Sequence, residues 1–280
     1  MVLIDGKKVS GEIRNRLADE IQELKKKTGK TPGLATVLVG DDPASAVYVR
    51  NKNKICGELG FHSFEQKLSA DTSEEKLLQL VGELNSNKDV HGILVQLPLP
   101  DQIDSEKILQ AIDPKKDVDG FHPVNVGKLV VGNALLTPCT PTGIIALLDR
   151  YDIEISGKHA VIIGRSNIVG KPVSMLLLHR NATITICHSR TQNLEEVTRS
   201  ADILVAAVGR ANFVTDEMVS EGTVVIDVGI NRVDGKLTGD VDFEPVSKKA
   251  SHITPVPGGV GPMTIALLME NTLKAFKESL

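Results

Sequence analysis

AVIIGRSNIVGKPVSMLLL, residues 160–178, is the stretch whose reading decides the fold. Ala160 to Ile163 are apolar on both faces, as suits a strand in a sheet covered by helices on both sides. Gly164 closes the run with a turn, and a helix is predicted from Lys171 to His179. Strand, glycine-bearing turn and helix therefore come in that order. The alternation continues downstream. TITIC (Thr183 to Cys187), ILVAAVG (Ile203 to Gly209), TVVIDVG (Thr223 to Gly229) and HITPV (His252 to Val256) read as strands. Helices fall at Leu194–Ser200, Phe243–Ala250 and Met263–Ser279. This pattern predicts a parallel, Rossmann-like sheet.

Upstream, a second α/β pattern appears. Ile13, Leu17, Ile21 and Leu24 recur at helical spacing, with Ser10 as N-cap and Gly29 as stop. LATVLVG (Leu34 to Gly40) reads as a buried strand, followed by a helix from Ala44 to Leu59 closed by Gly60. Phe61 to Leu68 and GILVQLPLP (Gly92 to Pro100) read as strands, Ser73–Asn85 and Ser105–Ile112 as helices. The polar stretch Lys115 to Leu129 has no clear period and reads as a linker or a functional loop. A further helix, Gly143 to Tyr151, leads into the second pattern. The expectation is two α/β domains with an active-site cleft between them. The first spans 1–138, with the C-terminal helix 263–280 returning to it, and the second spans 139–262.

Bulk properties narrow the function. A chain of 280 residues with 41% hydrophobic and 24% charged residues is ordinary for a globular protein, and its length fits about two domains. A net charge of -4 gives no general attraction for nucleic acid or an anionic membrane. Cys56, Cys139 and Cys187 lie too far apart for a disulfide framework and read as buried thiols of a reducing compartment. The histidines form no metal-binding spacing, so no metal is expected. Neither a signal-peptide core nor a run of ~20 apolar residues is present, and the chain is expected to be soluble and cytoplasmic.

The turn after the first of the downstream strands suits a dinucleotide. Gly164 stands at the strand end and Gly170 where the helix packs down. Ser166 replaces the middle glycine of the G-x-G-x-x-G pattern and the spacing is one residue longer, so an ordinary glycine turn stays open. The next strand ends in Cys187-His188-Ser189-Arg190, without the carboxylate that holds the ribose 2′-hydroxyl of NAD. Arg165 and Ser189 would welcome a 2′-phosphate, which favours NADP over NAD. Arg165 and Arg190 as merely solvated charges remain the alternative.

On the upstream helix, Tyr48 and Lys52 stand four apart and share one face. By spacing alone, a half-exposed tyrosine and a surface lysine on a basic stretch is the simpler reading. Longer segments change that. GILVQLPLP (92–100), KDVDGFHP (116–123) and TPVPGGVGPMT (254–264), together with Tyr48-x-x-x-Lys52 and Gly164-Arg165-Ser166, resemble the bifunctional methylenetetrahydrofolate dehydrogenase/methenyltetrahydrofolate cyclohydrolase (FolD) family in its short bacterial form. The resemblance runs through essentially the whole chain, in the right order.

The resemblance implies a tetrahydrofolate derivative as substrate, NADP as cofactor and a homodimer. It implies that Tyr48 stacks on the folate ring system, that Lys52 is the acid/base group and that Gln96 holds and tunes it. Asp119 would bind the pterin, Pro257, Gly258 and Gly259 would border the nicotinamide and substrate, and Ile230 would touch the cofactor. His188 is given no catalytic role. Gln96 as a backbone cap and Asp119 as a turn residue are the structural alternatives. Short-chain dehydrogenases also carry Tyr-x-x-x-Lys, but after their glycine turn, whereas Tyr48 precedes Gly164. A shikimate-type dehydrogenase or a non-catalytic nucleotide-binding regulator would leave the Gln96, Asp119 and Pro257 segments without a purpose.

Overall fold

A computed structural model describes residues 1–280, the side chain of Ala44 excepted. The elements begin with β1 (Val2–Leu3), α1 (Gly6–Thr28), β2 (Gly33–Val39), α2 (Pro43–Glu58) and β3 (His62–Leu68). There follow α3 (Glu74–Ser86), β4 (Gly92–Val95), α4 (Ser105–Ala111), α5 (Pro123–Val131) and α6 (Cys139–Arg150). Next come β5 (His159–Ile163), α7 (Gly170–His179), β6 (Thr183–Cys187), α8 (Leu194–Arg199), β7 (Ile203–Ala206) and β8 (Val224–Asp227). The chain ends with β9 (Asn231–Val233), β10 (Lys236–Thr238), α9 (Phe243–Lys249), β11 (His252–Ile253) and α10 (Val260–Glu278). It divides into two compact units, one of residues 1–12 and 138–267, the other of 13–137 and 268–280.

In the second of these units, β2 pairs in parallel with β3 on one side and β4 on the other. All seven residues of β2 are buried, as befits a central strand, whereas β3 alternates and forms an edge. Ala35, Val37, Ile93 and Val95 pack on Leu77, Val81 and Leu84 of α3 and on Ile108 of α4. Lys116 closes the far end of α3. Its ammonium donates to the carbonyls of Leu84, Asn85 and Asn87 at 3.1, 2.7 and 2.7 Å, satisfying groups that a helix end leaves open.

In the other unit six strands lie in the order β1-β11-β8-β7-β5-β6, every adjacent pair parallel. From β5 the chain goes outward to β6, then returns to the opposite side of β5 with β7. The strand order therefore reverses at β5, the place where open α/β sheets bind ligands beyond their strand ends. The expected Rossmann-like parallel sheet is present, and the chain has the two α/β units predicted.

Two local readings are corrected. Ser10 is not an N-cap: α1 begins at Gly6, because the Asp5 carboxylate already accepts from Lys8 N at 3.0 Å and caps the helix one turn earlier. The stretch 115–129 is not wholly irregular either, since α5 occupies Pro123–Val131, with the His122 ring accepting from Val124 N at 3.1 Å. Gly29, at φ +71, does stop α1. Cys56, Cys139 and Cys187 are free and buried.

Candidate functional site

Helix α2 sets the first group of side chains. Asp42 caps it by accepting from Ser45 N at 2.7 Å, and Pro43 occupies its first turn. Ser45, Val49 and Cys56 form its buried stripe. Asn53, on the same stripe, accepts from Thr36 Oγ1 of β2 at 2.9 Å. The stripe fixes the rotation of the helix. Lys52 comes to lie at its half-buried edge, and Tyr48, one turn earlier, is 43% exposed with its ring open to a ligand.

Gln96 directly follows β4, and its N–H donates to Val37 O of β2 at 2.9 Å, which extends the pairing by one residue. From there its side-chain oxygen accepts from Lys52 Nζ at 3.0 Å. The amide nitrogen donates to Leu97 O at 2.7 Å, so the orientation of the amide follows from both its partners. Lys52 and Gln96, 44 residues apart, are thus brought together.

Asp119 stands in a turn closed by Gly120 N donating to Asp117 O at 3.1 Å, with Gly120 at φ +75. Part of Asp119 remains open, but its carboxyl is crowded by protein. Burial pushes that carboxyl up to about 6, with the Lys52 ammonium pulling it down and the Asp117 carboxylate pushing it up. No described residue donates a hydrogen bond to it. Lys52 and Gln96 are hydrogen-bonded, the Lys52 charge acts on Asp119, and Tyr48 projects from the same helix as Lys52.

The second group lies in the six-stranded unit. Gly164, at φ +120, leaves no room for a side chain, since a Cβ there would stand 2.2 Å from Ala207 O. A Cβ on Gly170 would stand 2.2 Å from Gly164 O. The turn is thus packed between the ends of β5 and β7, with α7 drawn tightly onto it. Ser166 Oγ accepts from Val169 N and Gly170 N at 3.1 and 3.3 Å and folds the turn. Arg165, Ser189 and Arg190 are exposed. His188 shapes the turn after β6: its N–H donates to Thr191 Oγ1 at 2.8 Å and its ring accepts from Arg190 N at 3.1 Å.

In the same unit, Gly259 is buried and a Cβ on it would stand 2.6 Å from Pro255 O. Gly258 has φ +111 and Pro257 is exposed. Ile230 is exposed, its Cδ1 3.6 Å from the place of a Cβ on Gly261.

Sequence reasoning passes over two side chains that shape this end of the sheet. Asp240 is fully buried and accepts from Val208 N, Gly209 N and Arg210 N at 2.6, 2.9 and 2.9 Å and from Asn231 Nδ2 at 2.9 Å. Asp227 accepts from Gly229 N and Asp240 N at 2.9 Å each and from Val241 N at 3.0 Å. Together they tie the loops after β7 and β8 to residues 239–241. An aspartate ending the apolar run VVID was the available signal. Among the described residues no group of three His, Cys, Asp or Glu is placed to hold a metal ion, and no helix is long and apolar enough to cross a membrane.

Comparison with known proteins places the chain in a family. Residues 4–119 match the family model for the tetrahydrofolate dehydrogenase/cyclohydrolase catalytic domain, and residues 138–280 the model for that family's NAD(P)-binding domain. The chain is 57% identical over 277 residues to the bifunctional protein FolD of Halalkalibacterium halodurans, covering 99% of each chain. It is similar to the solved bifunctional enzyme FolD, methylenetetrahydrofolate dehydrogenase/cyclohydrolase, of Campylobacter jejuni, with TM-score 0.98, 52% identity and 100% of each chain covered. It is also similar to the Trypanosoma brucei N5,N10-methylenetetrahydrofolate dehydrogenase-cyclohydrolase solved with NADP cofactor and inhibitor. There the TM-score is 0.96 and the identity 41%, covering 100% of this chain and 98% of the other.

Proposed function

The chain belongs to the tetrahydrofolate dehydrogenase/cyclohydrolase family, and on that premise we propose how its residues divide two reactions. The first is NADP-dependent oxidation of 5,10-methylenetetrahydrofolate to 5,10-methenyltetrahydrofolate. The second is hydrolysis of that product to 10-formyltetrahydrofolate. The unit of residues 13–137 and 268–280 holds the folate, and the other unit holds NADP. The observation that carries this reading is the hydrogen bond from Lys52 to Gln96 at 3.0 Å, beside Asp119 and on the helix that exposes Tyr48.

Ionised Asp119 accepts from the parallel N–H donors of the pterin's amino-pyrimidinone ring. The ring of Tyr48 offers a stacking face to the conjugated part of the substrate. These two contacts align the methylene carbon, and alignment is most of what the oxidation asks of the protein. Bound NADP supplies the hydride acceptor. The residues fit it: Gly164 and Gly170 keep a tight turn at the strand reversal, and the end of β6 offers Ser189 with no carboxylate to repel a 2′-phosphate. Arg165 would hold that phosphate. Gly258 and Gly259 keep side chains off their stretch of backbone, and Ile230 stands beside Gly261, two residues on.

Hydrolysis makes a different demand. Water adds to the cationic methenyl carbon, the bond from that carbon to N5 breaks, and N5 must end with a proton. Lys52 moves these protons, and Gln96 holds its amine at the reacting carbon. Three free, buried cysteines suit a reducing compartment, so the reading places the enzyme in the cytoplasm, as a homodimer by resemblance. An absorbance assay with methylenetetrahydrofolate and either NADP or NAD tests it. Nicotinamide reduction and methenyl decay, followed separately, should both depend on the protein, with NADP preferred. Absence of either activity overturns the assignment.

A further inference from the structure

Asp117, two residues before Asp119, is only 2% exposed. Among the described residues no lysine or arginine pairs with it. Its carboxylate instead accepts from Phe121 N at 3.2 Å, His122 N at 2.8 Å and Asn125 Nδ2 at 2.8 Å. Asn125, itself buried, also donates to Pro114 O at 2.8 Å. The carboxylate thereby gathers the start of α5 back over the 117–120 turn.

The turn is held from two other sides. Ile93 of β4 donates its N–H to Lys116 O at 2.8 Å and pairs with Asp117 in an isolated parallel bridge. Asn271 of α10 donates to Val118 O at 2.9 Å. Asp119 therefore stands on backbone fixed to the strand that leads into Gln96. An asparagine at 117 offers one oxygen where the carboxylate offers two, and its NH2 would face either Phe121 N or the pair His122 N and Asn125 Nδ2, donor against donor. A buried carboxylate without a cation is held by its hydrogen bonds alone. Its further effect falls on the carboxylate two residues away.

We infer that Asp117 is a positioning residue for the folate site: its buried carboxylate, through the three donors it gathers, fixes the turn on which Asp119 stands. The inference rests on Asp119 being the folate anchor. The charged groups acting on Asp119 are Lys52 from α2, which favours its ionised form, and Asp117 from its own turn, which opposes it. Burial is the main force that raises the Asp119 carboxyl to about 6, against the Lys52 ammonium and with a smaller push from Asp117. Folate binding through the ionised form then weakens as pH falls through that value.

The test is the KM for methylenetetrahydrofolate and for NADP between pH 5 and 8, in the whole enzyme and its variants. Asp117→Asn should raise the folate KM about tenfold at pH 7.5, the worth of one charge-assisted hydrogen bond, and leave the NADP KM unchanged. It should also move the acid limb of folate binding to lower pH, because the opposing charge is gone. A merely structural role would not move that limb. If Asp117→Asn folds and leaves both the folate KM and the limb as in the parent, the inference is wrong. If it does not fold, Asn125→Ser decides, since it keeps the anion but removes one donor. A folate-selective rise in KM supports the inference, and no such rise overturns it. Asp119→Ala separates the two levels of the argument. An unchanged folate KM in that variant sinks the anchoring role of Asp119, whereas a raised one beside a silent Asp117→Asn sinks the inference alone.

Discussion

Lys52 Nζ donates to Gln96 Oε1 at 3.0 Å, and the same Gln96 spends its amide N–H on Leu97 O at 2.7 Å. The lysine thus meets a neutral acceptor whose oxygen is turned toward it by the backbone. A neutral acceptor holds an amine in place without clamping it in the charged form, which suits a group that must give and take protons.

Gln96→Glu should therefore impair hydrolysis more than oxidation. A carboxylate 3 Å from the amine keeps the geometry but stabilises the ammonium. Methenyl hydrolysis at pH 7 is expected to fall on the order of tenfold or more, with partial recovery at higher pH, while nicotinamide reduction falls less. Equal losses in both rates, flat with pH, would show that Gln96 serves only to place the substrate.

Cofactor choice can be read at Arg165. It is exposed in the turn after β5, and the end of β6 carries Ser189 in place of a carboxylate. Arg165→Ala should raise the KM for NADP roughly tenfold, as loss of a hydrogen bond to a charged group does. The KM for NAD should hardly move. Equal effects on the two cofactors would remove Arg165 from the 2′-phosphate.

His91 makes the folate-side unit sensitive to acid. It is buried, its Nδ1 accepts from Gly33 N at 2.9 Å, and its ring meets Phe276 edge-on at 4.8 Å. Burial, with Lys116 adding to it, holds its pKa below the ordinary value. The unfolded chain then binds this proton more readily than the folded one. The resulting stability is fully present above about pH 6.5 and is lost as pH falls toward the folded value. Thermal melting of His91→Gln between pH 5 and 8 should show a shallower acid decline than the parent, with a lower Tm at pH 8. A parallel decline in both proteins would discharge His91 from this role.

The parts of the fold legible in the sequence are those whose burial matches their local pattern. β6 runs from Thr183 to Cys187, the residues predicted, because its alternating Thr and Ile are the local mark of a half-covered edge strand. α5 inverts the usual rule and hides for that reason. Val124, Val130 and Val131 are exposed, while polar Asn125 is buried against Asp117 and Pro114 O. β1 has two residues and exists by pairing with β11, about 250 positions away, which no local signal reports. The β9–β10 hairpin did carry a signal, Asp234-Gly235, both at positive φ. In the site, Tyr48 and Lys52 are one helical turn apart and could be paired by counting. The partnership of Asp227 with Asp240 arises only when the loops after β7 and β8 close over them.

The two reactions should separate at Lys52. Oxidation needs the methylene carbon aligned with its acceptor, and in the assignment proposed above Asp119 and Tyr48 would supply the contacts for that without Lys52. Hydrolysis needs a proton taken from water and one delivered to N5, and the Lys52 amine is the group placed beside Gln96 to do so. Lys52→Gln keeps a polar side chain of similar reach and removes the titrating amine. Hydrolysis should fall by roughly 10²-fold or more, the usual worth of a general acid/base, while oxidation survives in part and methenyltetrahydrofolate accumulates in the coupled assay. Tyr48→Phe, which keeps the ring, should harm both steps less than Tyr48→Ala, because stacking does not require the hydroxyl. If Lys52→Gln slows both reactions equally, the lysine positions the substrate and another group moves the protons. If it slows neither, Lys52 is a surface residue whose bond to Gln96 has no part in the chemistry.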